Sequence, residues 1–368
     1  MEEKKKAVII GGGIAGVQAA TTIENMSVKL IIDEPYLPYY RMRIEEILSG
    51  KEPEMLYMHP QSWYEEKGIE IINGHAEAIN TDEKLVILSD GREISYDKLL
   101  LATGSTARRF ELKGTPCKSV VLRTASDALA LKEALKHASD FAVLGGGLLG
   151  LEAAYSVATE FHLPVSVIES APYILPRQLD EESAEILSAK LGEAGVSVYT
   201  SAVVKEACCD YLLLEDGRKV PSSLLCFSVG VNPSKELAEE AGIAVGRAIM
   251  IDEHLETSYP DIYAAGDAAE LNGRTFGLAL HAREMGTAAA KSMMGEDITY
   301  VPSEPTALLK VGGIDVVSLG SIEGEKQVES DGDKRKTLFI KDGIIAGAVL
   351  LNDKASMMKV KAMIGKKA

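Results

Sequence analysis

Cysteine is scarce in this 368-residue sequence, and none of the four cysteines is spaced as a redox pair. Cys208 and Cys209 are adjacent, which is a poor spacing for a reversible disulfide, and Cys117 and Cys226 stand alone. Sparse, unpatterned cysteines are typical of the reducing cytoplasm. The six histidines show no metal-ligand spacing either. We therefore expect a cytoplasmic protein without a metal centre.

The sequence also lacks excess positive charge and long apolar runs. Its formal net charge of −16 disfavours binding to nucleic acid or to an anionic membrane. No stretch approaches the ~20 apolar residues that a membrane span needs. Residues 4–17 resemble a signal peptide, but the apolar run is short and breaks at three consecutive glycines. A first strand that enters a glycine-rich turn is the favoured interpretation, and neither nucleic acid nor a membrane is predicted as a partner.

Glycine, in contrast, is plentiful and patterned. Residues 7–16 read AVIIGGGIAG, and residues 141–150 read FAVLGGGLLG. Each segment predicts an apolar strand, a glycine turn and the start of a helix, followed by a second strand that ends in an acid. Glu34 lies 23 residues after Gly11, and Glu169 lies 24 residues after Gly145. Two strand–helix–strand units with matching spacing predict two dinucleotide-binding folds.

Each motif has the G-x-G-x-x-G spacing that cradles a pyrophosphate. In the first, Gly11 permits the tight turn, Gly13 lets the backbone approach the ligand, and Gly16 lets helix and strand pack closely. The helix N-terminus then supplies N–H groups for the anion. Glu34 and Glu169 are predicted to accept hydrogen bonds from a ribose, and the acid at 169 favours NADH over NADPH. The equivalent glycines of the second motif are Gly145, Gly147 and Gly150.

Local patterns predict the remaining elements. Helices are expected over 60–67, 124–137, 180–194 and 276–294, with Ser126 or Thr124 as the cap of the second. Asp90-Gly91 and Asp216-Gly217 predict hairpins. Several short apolar runs within 306–351 predict a small antiparallel sheet. Residues 323–336 are expected to form a loop or a mobile hairpin, and the chain is expected to end in a short basic helix.

Four further segments resemble motifs of a known family. They are YDKLLLATGS at 96–105, SVGVNPS at 228–234, TSYPDIYAAGDAAE at 257–270 and YLPYYRMRIEEILSG at 36–50. The first three are similar to motifs of the FAD-dependent pyridine nucleotide oxidoreductases related to glutathione reductase. The last resembles the small-flavoprotein branch that contains NADH:rubredoxin oxidoreductases and nitrite-reductase-like flavoproteins. Two departures stand out, since no cysteine precedes Cys117 and Glu46 stands where many relatives have a flavin-proximal Lys.

This resemblance implies an α/β fold with two Rossmann-like domains, one for FAD and one for NAD, the second inserted in the first. A small C-terminal α+β domain follows. The predicted boundaries are 1–108 and 247–300 for the FAD-binding domain, 109–246 for the NAD-binding domain and 301–368 for the C-terminal domain. The usual C-terminal interface domain is shortened, so the sequence leaves the oligomeric state open.

The resemblance also implies roles for individual residues. Asp267 matches the acid that binds the ribityl chain of FAD, and Arg41 matches an Arg beside its pyrophosphate. Glu152 is the predicted catalytic residue near nicotinamide and flavin, although an ordinary helix-surface acid is the alternative. His281 is expected to be structural. The cofactor-binding set is completed by Ala15, Ala76, Ala102, Thr103, Gly104, Leu149, Gly230 and Gly266.

The predicted activity is that of an oxidoreductase with FAD and NADH as cofactors. The resemblance implies that FAD takes a hydride from NADH and that electrons pass to a small redox protein of the rubredoxin type. Because no cysteine lies in the flavin-proximal part of the sequence, reduction of disulfides or peroxides through a thiol is not expected. Two alternatives stay open: a thiol-independent NADH oxidase, and a slow-turnover FAD- and NAD-binding sensor or subunit.

Overall fold

The computed structural model describes residues 4–114 and 118–368, and Cys117 lies outside them. The described residues form two compact units. The first unit consists of residues 4–41, 52–106 and 231–303. The second unit consists of residues 42–51, 107–114, 118–230 and 304–368.

The elements of residues 4–107 begin with the first strand–helix–strand unit. They are β1 (Lys6–Ile10), α1 (Ile14–Thr22), β2 (Ser27–Ile32), α2 (Gln61–Glu66), β3 (Ile69–Asn73), β4 (Ala76–Asn80), β5 (Leu85–Leu88), β6 (Glu93–Ser95), β7 (Lys98–Leu101) and β8 (Ser105–Ala107). Short 3-10 helices span Arg41–Ile47 and Pro53–Leu56.

The elements of residues 118–227 contain the second strand–helix–strand unit. They are β9 (Lys118–Val121), α3 (Ala125–Leu135), β10 (Phe141–Leu144), α4 (Leu148–Ser156), β11 (Val165–Ile168), α5 (Glu181–Glu193), β12 (Val196–Tyr199), β13 (Val204–Ala207), β14 (Tyr211–Leu214), β15 (Lys219–Pro221) and β16 (Leu224–Phe227). A π-helical turn, Val157–Phe161, continues α4.

The remaining elements run to the end of the chain. They are β17 (Val231–Pro233), α6 (Glu236–Glu240), β18 (Ile249–Ile251), β19 (Ile262–Ala264), β20 (Ala269–Leu271), α7 (Ala279–Met293), β21 (Thr306–Val311), β22 (Ile314–Gly320), β23 (Glu325–Asp331), β24 (Lys334–Lys341), β25 (Ile344–Leu351) and α8 (Met357–Lys361). Short 3-10 helices span Gly266–Ala268 and Lys354–Ser356.

A five-stranded parallel sheet in the order β19-β7-β1-β2-β3 forms the centre of the first unit. Its inner strands are almost uniformly apolar because they are buried on both faces, and Leu99, Leu100 and Leu101 have no exposed surface. Helices α1 and α7 cross closely at Gly286. A Cβ there would lie 2.3 Å from the backbone oxygen of Ala15, so only glycine allows this approach.

The second unit repeats the plan with a sheet in the order β12-β11-β10-β16-β9, which is also parallel. Its fifth strand, β9, precedes the strand–helix–strand unit, whereas β19 of the first sheet comes late in the chain. Thr124 caps α3 by accepting a 3.1 Å hydrogen bond from the N–H of Asp127, which confirms one of the two predicted caps. Each unit also holds a three-stranded antiparallel sheet that contains a predicted hairpin: β4-β5-β6 and β13-β14-β15.

Residues 306–351 form the predicted antiparallel sheet, in the order β21-β22-β25-β24-β23. The charged stretch 323–336 contains β23 and the start of β24, so the hairpin expectation is confirmed and the loop alternative is wrong. One face of the sheet packs on Val360 of α8 through Val317, Leu338 and Leu350. The short basic helix at the chain end is therefore confirmed.

The other face of this sheet contacts α5, within the second unit. Lys326 donates a 3.2 Å hydrogen bond to Asp180, and Arg335 pairs with Glu182 at the start of the helix. A Cβ on Gly312 would lie 3.3 Å from the Cβ of Lys190 near the helix end. The sheet thus lies along the length of α5.

Among residues 4–114 and 118–368, no helix is both long enough and apolar enough to cross a membrane.

Candidate functional site

The first glycine motif joins β1 to α1, and two of its glycines leave no room for a side chain. Gly11 has φ +112°, and a Cβ there would lie 2.1 Å from the backbone oxygen of Ala102. A Cβ on Gly16 would lie 1.9 Å from the oxygen of Gly11. At Gly13, in contrast, a Cβ would meet nothing within 4 Å. Glycine at 11 and 16 is thus required by the protein, while Gly13 borders open space at the N-terminus of α1.

The second motif repeats this geometry between β10 and α4. Gly145 has φ +106°, and its Cβ would lie 2.3 Å from the oxygen of Ser228. A Cβ on Gly150 would lie 2.7 Å from the oxygen of Gly145 and 2.8 Å from Ser228 Oγ. Gly147 again has nothing within 4 Å of a Cβ. Ser228 was not predicted as a site residue, although it opens the SVGVNPS motif.

Both helices begin without a side-chain cap. Gly13 and Gly147 are the N-cap residues of α1 and α4, and neither helix has an acidic residue in its first turn. The N–H groups of the first turn and the positive end of each helix dipole therefore face the space beside these glycines. An anionic pyrophosphate fits this arrangement at each motif.

The two predicted ribose-binding acids are held differently. Glu169 accepts 2.7 Å hydrogen bonds from the backbone N–H groups of Gly146 and Ala171, so its carboxylate is fixed beside the second motif. Glu34 accepts a 2.6 Å hydrogen bond from Tyr39 and pairs with Arg41. Each acid follows the second strand of its unit, where a ribose hydroxyl fits as a donor.

Residues of the crossover motif gather beside the first glycine turn. Thr103 donates a 2.7 Å hydrogen bond to the oxygen of Ser234, and Gly104 accepts a 2.9 Å bond from the Ser234 N–H. Ser105 donates to Asp267 at 2.7 Å. Gly266, with φ +76°, places its would-be Cβ 3.1 Å from that of Ala15 on α1. The structure thus brings Ala15, Ala102, Thr103, Gly104, Gly266 and Asp267 together around Gly11 and α1.

The other predicted cofactor-binding residues are Ala76, Gly230 and Leu149, and fewer contacts connect them to the glycine motifs. Ala76 begins β4, and its neighbour His75 lies 2.9 Å from Asp33, the residue before Glu34. In the second unit, Gly230 has φ +94° and accepts a 3.0 Å hydrogen bond from Arg108. Leu149 lies in the first turn of α4.

His281 is buried on α7, with its Nε2 2.8 Å from the oxygen of Ser303. This contact fits the structural role that was expected of it.

Glu152 lies on α4, in the turn after Gly147, and burial raises its pKa to about 8, with further repulsion from Glu45 and Glu46. A carboxyl group that titrates near neutrality can hold a proton at physiological pH. This environment is unlike that of an ordinary helix-surface acid.

We expect Glu152→Gln to stabilise the protein at high pH and not at low pH. The pKa is raised from 4.5 to about 8, so below the lower value both the folded and unfolded chains are protonated and the group has no effect. As the pH rises through this window, the unfolded chain ionises first and stability falls. In urea unfolding at about pH 9 the variant should gain on the order of 2–4 kcal/mol over the parent.

At about pH 4.5 the unfolding free energies of the same two proteins should differ by less than about 0.5 kcal/mol. Glu160→Gln serves as the control, because Glu160 is an exposed acid on the π-helical turn that continues α4. A pH-independent gain, or an equal gain in the control, would contradict the buried protonated carboxyl.

Thiol chemistry has little support among the described residues. Cys226 is buried, which raises the pKa of its thiol to about 12 and keeps it protonated. Cys208 and Cys209 are free, and neither lies in a glycine motif or in the crossover segments. No group of three or more His, Cys, Asp or Glu residues capable of holding a metal occurs within 4–114 and 118–368.

Two family models together match nearly the whole chain. Residues 5–286 match the pyridine nucleotide-disulphide oxidoreductase family, and residues 305–368 match the rubredoxin NAD+ reductase C-terminal domain. The first match includes both glycine motifs, and the second includes the C-terminal sheet and α8.

Individual relatives agree with these matches. The NADH-rubredoxin oxidoreductase of Clostridium acetobutylicum is 33% identical over 98% of this chain and 94% of the relative. Its crystal structure superposes with a TM-score of 0.84 at 32% identity, covering 99% of this chain and 96% of that one. The assimilatory nitrate reductase electron transfer subunit of Bacillus subtilis is 33% identical over 95% of this chain, which spans 48% of that relative.

These matches confirm the predicted α/β fold class and the predicted class of enzyme, an oxidoreductase that uses FAD and NADH. The glycine cradles and acids described above fit both dinucleotides. The chain therefore belongs to the pyridine nucleotide-disulphide oxidoreductase family.

Proposed function

We propose that this chain oxidises NADH and passes the electrons, one at a time, to a small redox protein of the rubredoxin type. The observation that carries the proposal is the pair of matching cradles in one chain, each with an open glycine at an uncapped helix N-terminus. Bound FAD supplies the redox chemistry, since it accepts two electrons from NADH and can release them singly.

We assign FAD to the first cradle and NADH to the second. Around FAD, α1 directs its N–H groups at the pyrophosphate, Glu34 accepts from the ribose and Asp267 binds the ribityl chain. Arg41 would lie beside the pyrophosphate, and we assign Ala76 to the same site. The remaining FAD-binding residues are Gly11, Gly13, Ala15, Gly16, Ala102, Thr103, Gly104 and Gly266.

Around NADH, α4 directs its N–H groups at the pyrophosphate, and Glu169 accepts from the adenosine ribose. The fixed carboxylate of Glu169 repels a 2′-phosphate, which supports NADH over NADPH. Glu152 is the proposed catalytic acid. The remaining residues of this site are Gly145, Gly147, Leu149, Gly150 and Gly230.

The proposal also includes the domain boundaries and the cellular compartment. We divide the chain into an FAD-binding domain (1–108 and 247–300), an NAD-binding domain (109–246) and a C-terminal domain (301–368). The free state of Cys208, Cys209 and Cys226 supports a place in the reducing cytoplasm.

The choice of acceptor rests on two similarities. The C-terminal residues match a domain named for rubredoxin NAD+ reductase, and the relative from C. acetobutylicum is an NADH-rubredoxin oxidoreductase.

The net charge of −16 means that an acidic acceptor needs a local basic patch for docking. Arg108 and Arg109, which precede the half-exposed Phe110, are the basic residues we favour for it.

Anaerobic stopped-flow mixing tests the proposal. FAD-reconstituted protein is mixed with NADH and then with a purified rubredoxin, while the visible flavin absorbance is recorded. We expect rapid bleaching by NADH and rapid recovery when rubredoxin is added.

The other outcomes identify the alternatives. Rapid bleaching with recovery only on adding air would favour a thiol-independent NADH oxidase. If FAD is bound but NADH causes no bleaching, the proposed activity is wrong and a slow-turnover sensor or subunit becomes the better explanation.

A further inference from the structure

The two acids assigned to ribose binding are held by different kinds of donor, although they occupy matching positions in their units. Two backbone N–H groups hold the carboxylate of Glu169, at 2.7 Å each. The bonds to Glu34 of the first unit come from side chains instead. Its Oε2 accepts a 2.6 Å hydrogen bond from the hydroxyl of Tyr39, and its Oε1 pairs with Arg41. The first cradle therefore depends on residues that its glycine motif does not contain.

Tyr39, Arg41 and Glu34 form a closed group of contacts. Nη1 of Arg41 lies 3.4 Å from the hydroxyl of Tyr39, while its Nη2 pairs with Glu34. The guanidinium carbon lies 5.3 Å from the centre of the Tyr39 ring. A 2.6 Å bond from a hydroxyl to a carboxylate belongs to the short, charge-assisted class, which is stronger than a bond between neutral groups. Both oxygens of Glu34 are therefore fixed by protein donors.

Backbone pairing on both sides fixes Tyr39 in turn. The N–H of Tyr40 donates to the oxygen of Leu56 at 3.0 Å, and the N–H of Met58 donates to the oxygen of Pro38 at 2.8 Å. Tyr39 itself is only 3% exposed, and Leu56 is fully buried. Because both the backbone and the ring are held, the Tyr39 hydroxyl has a defined position.

The same segment lies against the first glycine turn. A Cβ on Gly12 would lie 3.1 Å from Cγ of Pro38 and 2.7 Å from Cγ2 of Ile32. Pro38 directly precedes Tyr39, and Ile32 ends β2 two residues before Glu34. Packing thus places the tyrosine and the glutamate beside the turn that we assign to the pyrophosphate of FAD. The adenosine ribose is the part of FAD that follows the pyrophosphate.

The accessibility of the two side chains differs. The side chain of Glu34 is 20% exposed, whereas Tyr39 is buried. A carboxylate can accept about four hydrogen bonds, so the bonds from Tyr39 and Arg41 leave room for ribose hydroxyls. Glu34 is therefore the group that a ribose can reach, and Tyr39 acts on the ribose through it.

We propose that Tyr39 is a positioning residue for the adenosine half of FAD, because its hydroxyl fixes the Glu34 carboxylate for the ribose. This role rests on the assignment of FAD to the first cradle in the proposed function. A carboxylate that is fixed in advance does not have to be ordered when the ribose binds, which removes an entropic cost of binding. Tyr39 therefore raises the affinity for FAD through Glu34.

Binding of FAD to the apoprotein, followed by the change in flavin fluorescence, tests this role. Tyr39→Phe keeps the buried ring beside Arg41 but removes the hydroxyl. We expect the affinity for FAD to fall roughly 5- to 10-fold, as for one side chain that must be ordered on binding. FMN lacks the adenosine ribose, so its affinity should stay within about 2-fold of the parent value.

A double variant separates positioning from a general structural effect. If the hydroxyl acts through Glu34, Tyr39→Phe should lower the affinity for FAD by less than about 2-fold in a protein that already carries Glu34→Ala. Equal losses with and without Glu34→Ala would overturn the proposal, and so would equal losses of FAD and FMN affinity. Tyr40→Phe is the control, because it removes the hydroxyl of the neighbouring, half-buried tyrosine, and both affinities should be unchanged.

Glu34→Ala alone distinguishes failure of this role from failure of the proposed function. If Glu34→Ala and Gly13→Ala both leave the affinity for FAD unchanged, FAD does not bind in the first cradle, and the role of Tyr39 falls with that assignment. If Glu34→Ala weakens FAD binding while Tyr39→Phe does not, FAD occupies the first cradle and only the positioning role is wrong.

Discussion

Replacing Gly145 with alanine should weaken NADH binding roughly 100-fold while leaving FAD bound. The residue has φ +106°, and the added Cβ would lie 2.3 Å from the backbone oxygen of Ser228. Rotating a side chain relieves neither the positive φ nor the close approach to the Ser228 oxygen, so the turn between β10 and α4 has to move. Overpacking of this kind costs about 3 kcal/mol, which is roughly a 100-fold loss of NADH affinity. NADH titration of the FAD-loaded variant, with the flavin spectrum recorded, measures both effects.

Gly147→Ala separates loss of NADH binding from damage to the fold. Its Cβ meets no protein atom within 4 Å, so the unfolding free energy should stay within about 0.5 kcal/mol of the parent value. NADH affinity should nevertheless fall by about 10-fold or more if the pyrophosphate passes this glycine, as we propose. A Gly147→Ala protein that binds NADH like the parent would place the nucleotide elsewhere. Gly13→Ala makes the same test for FAD.

Replacing Lys326 with methionine should destabilise the second unit by about 2 kcal/mol. The side chain of Asp180 is only 3% exposed, and Lys326 is its ion-pair partner at 3.2 Å. Methionine keeps most of the apolar stem of lysine but leaves the Asp180 charge buried without its cation. Oδ1 of the same carboxylate already has no hydrogen-bond partner among the described residues. Urea unfolding at neutral pH measures the loss.

Lys341→Met provides the comparison within the same sheet. Its partner Glu323 is 76% exposed, so this change should cost less than about 0.5 kcal/mol. The double variant Lys326→Met with Asp180→Asn should recover part of the loss, because the buried charge is then gone. If Lys326→Met and Lys341→Met lower the unfolding free energy equally, burial of the Asp180 carboxylate does not explain the contribution of Lys326.

Much of the fold could be predicted because its signals are local. The glycine turns need positive φ at Gly11 and Gly145, and each is preceded by a continuous apolar strand. Both acids follow at matching spacing, and the structure places each after the second strand of its unit. The two Asp-Gly hairpins are likewise set by turn chemistry within a few residues.

The rest depends on contacts between distant parts of the chain. No local signal indicates that β9 pairs with β16, or that residues 42–51 join the second unit, where the charge of Glu45 raises the pKa of Glu152. The stretch 323–336 is charged enough to suggest a loop, yet seven of its residues pair with β24. Their side chains are exposed, so hydrophobic patterning gives no strand signal there. The cofactor roles of single residues stay predictions.

The different position of the fifth strand in the two sheets affects how the chain folds as it is made. All five strands of the second sheet lie within residues 118–227, so that sheet can close soon after its last strand leaves the ribosome. The first sheet requires Ile262 to pair with Leu99, across the whole intervening segment. We therefore expect the first sheet to be completed after the second, with the edge of β7 open to misfolding and chaperone binding until β19 arrives.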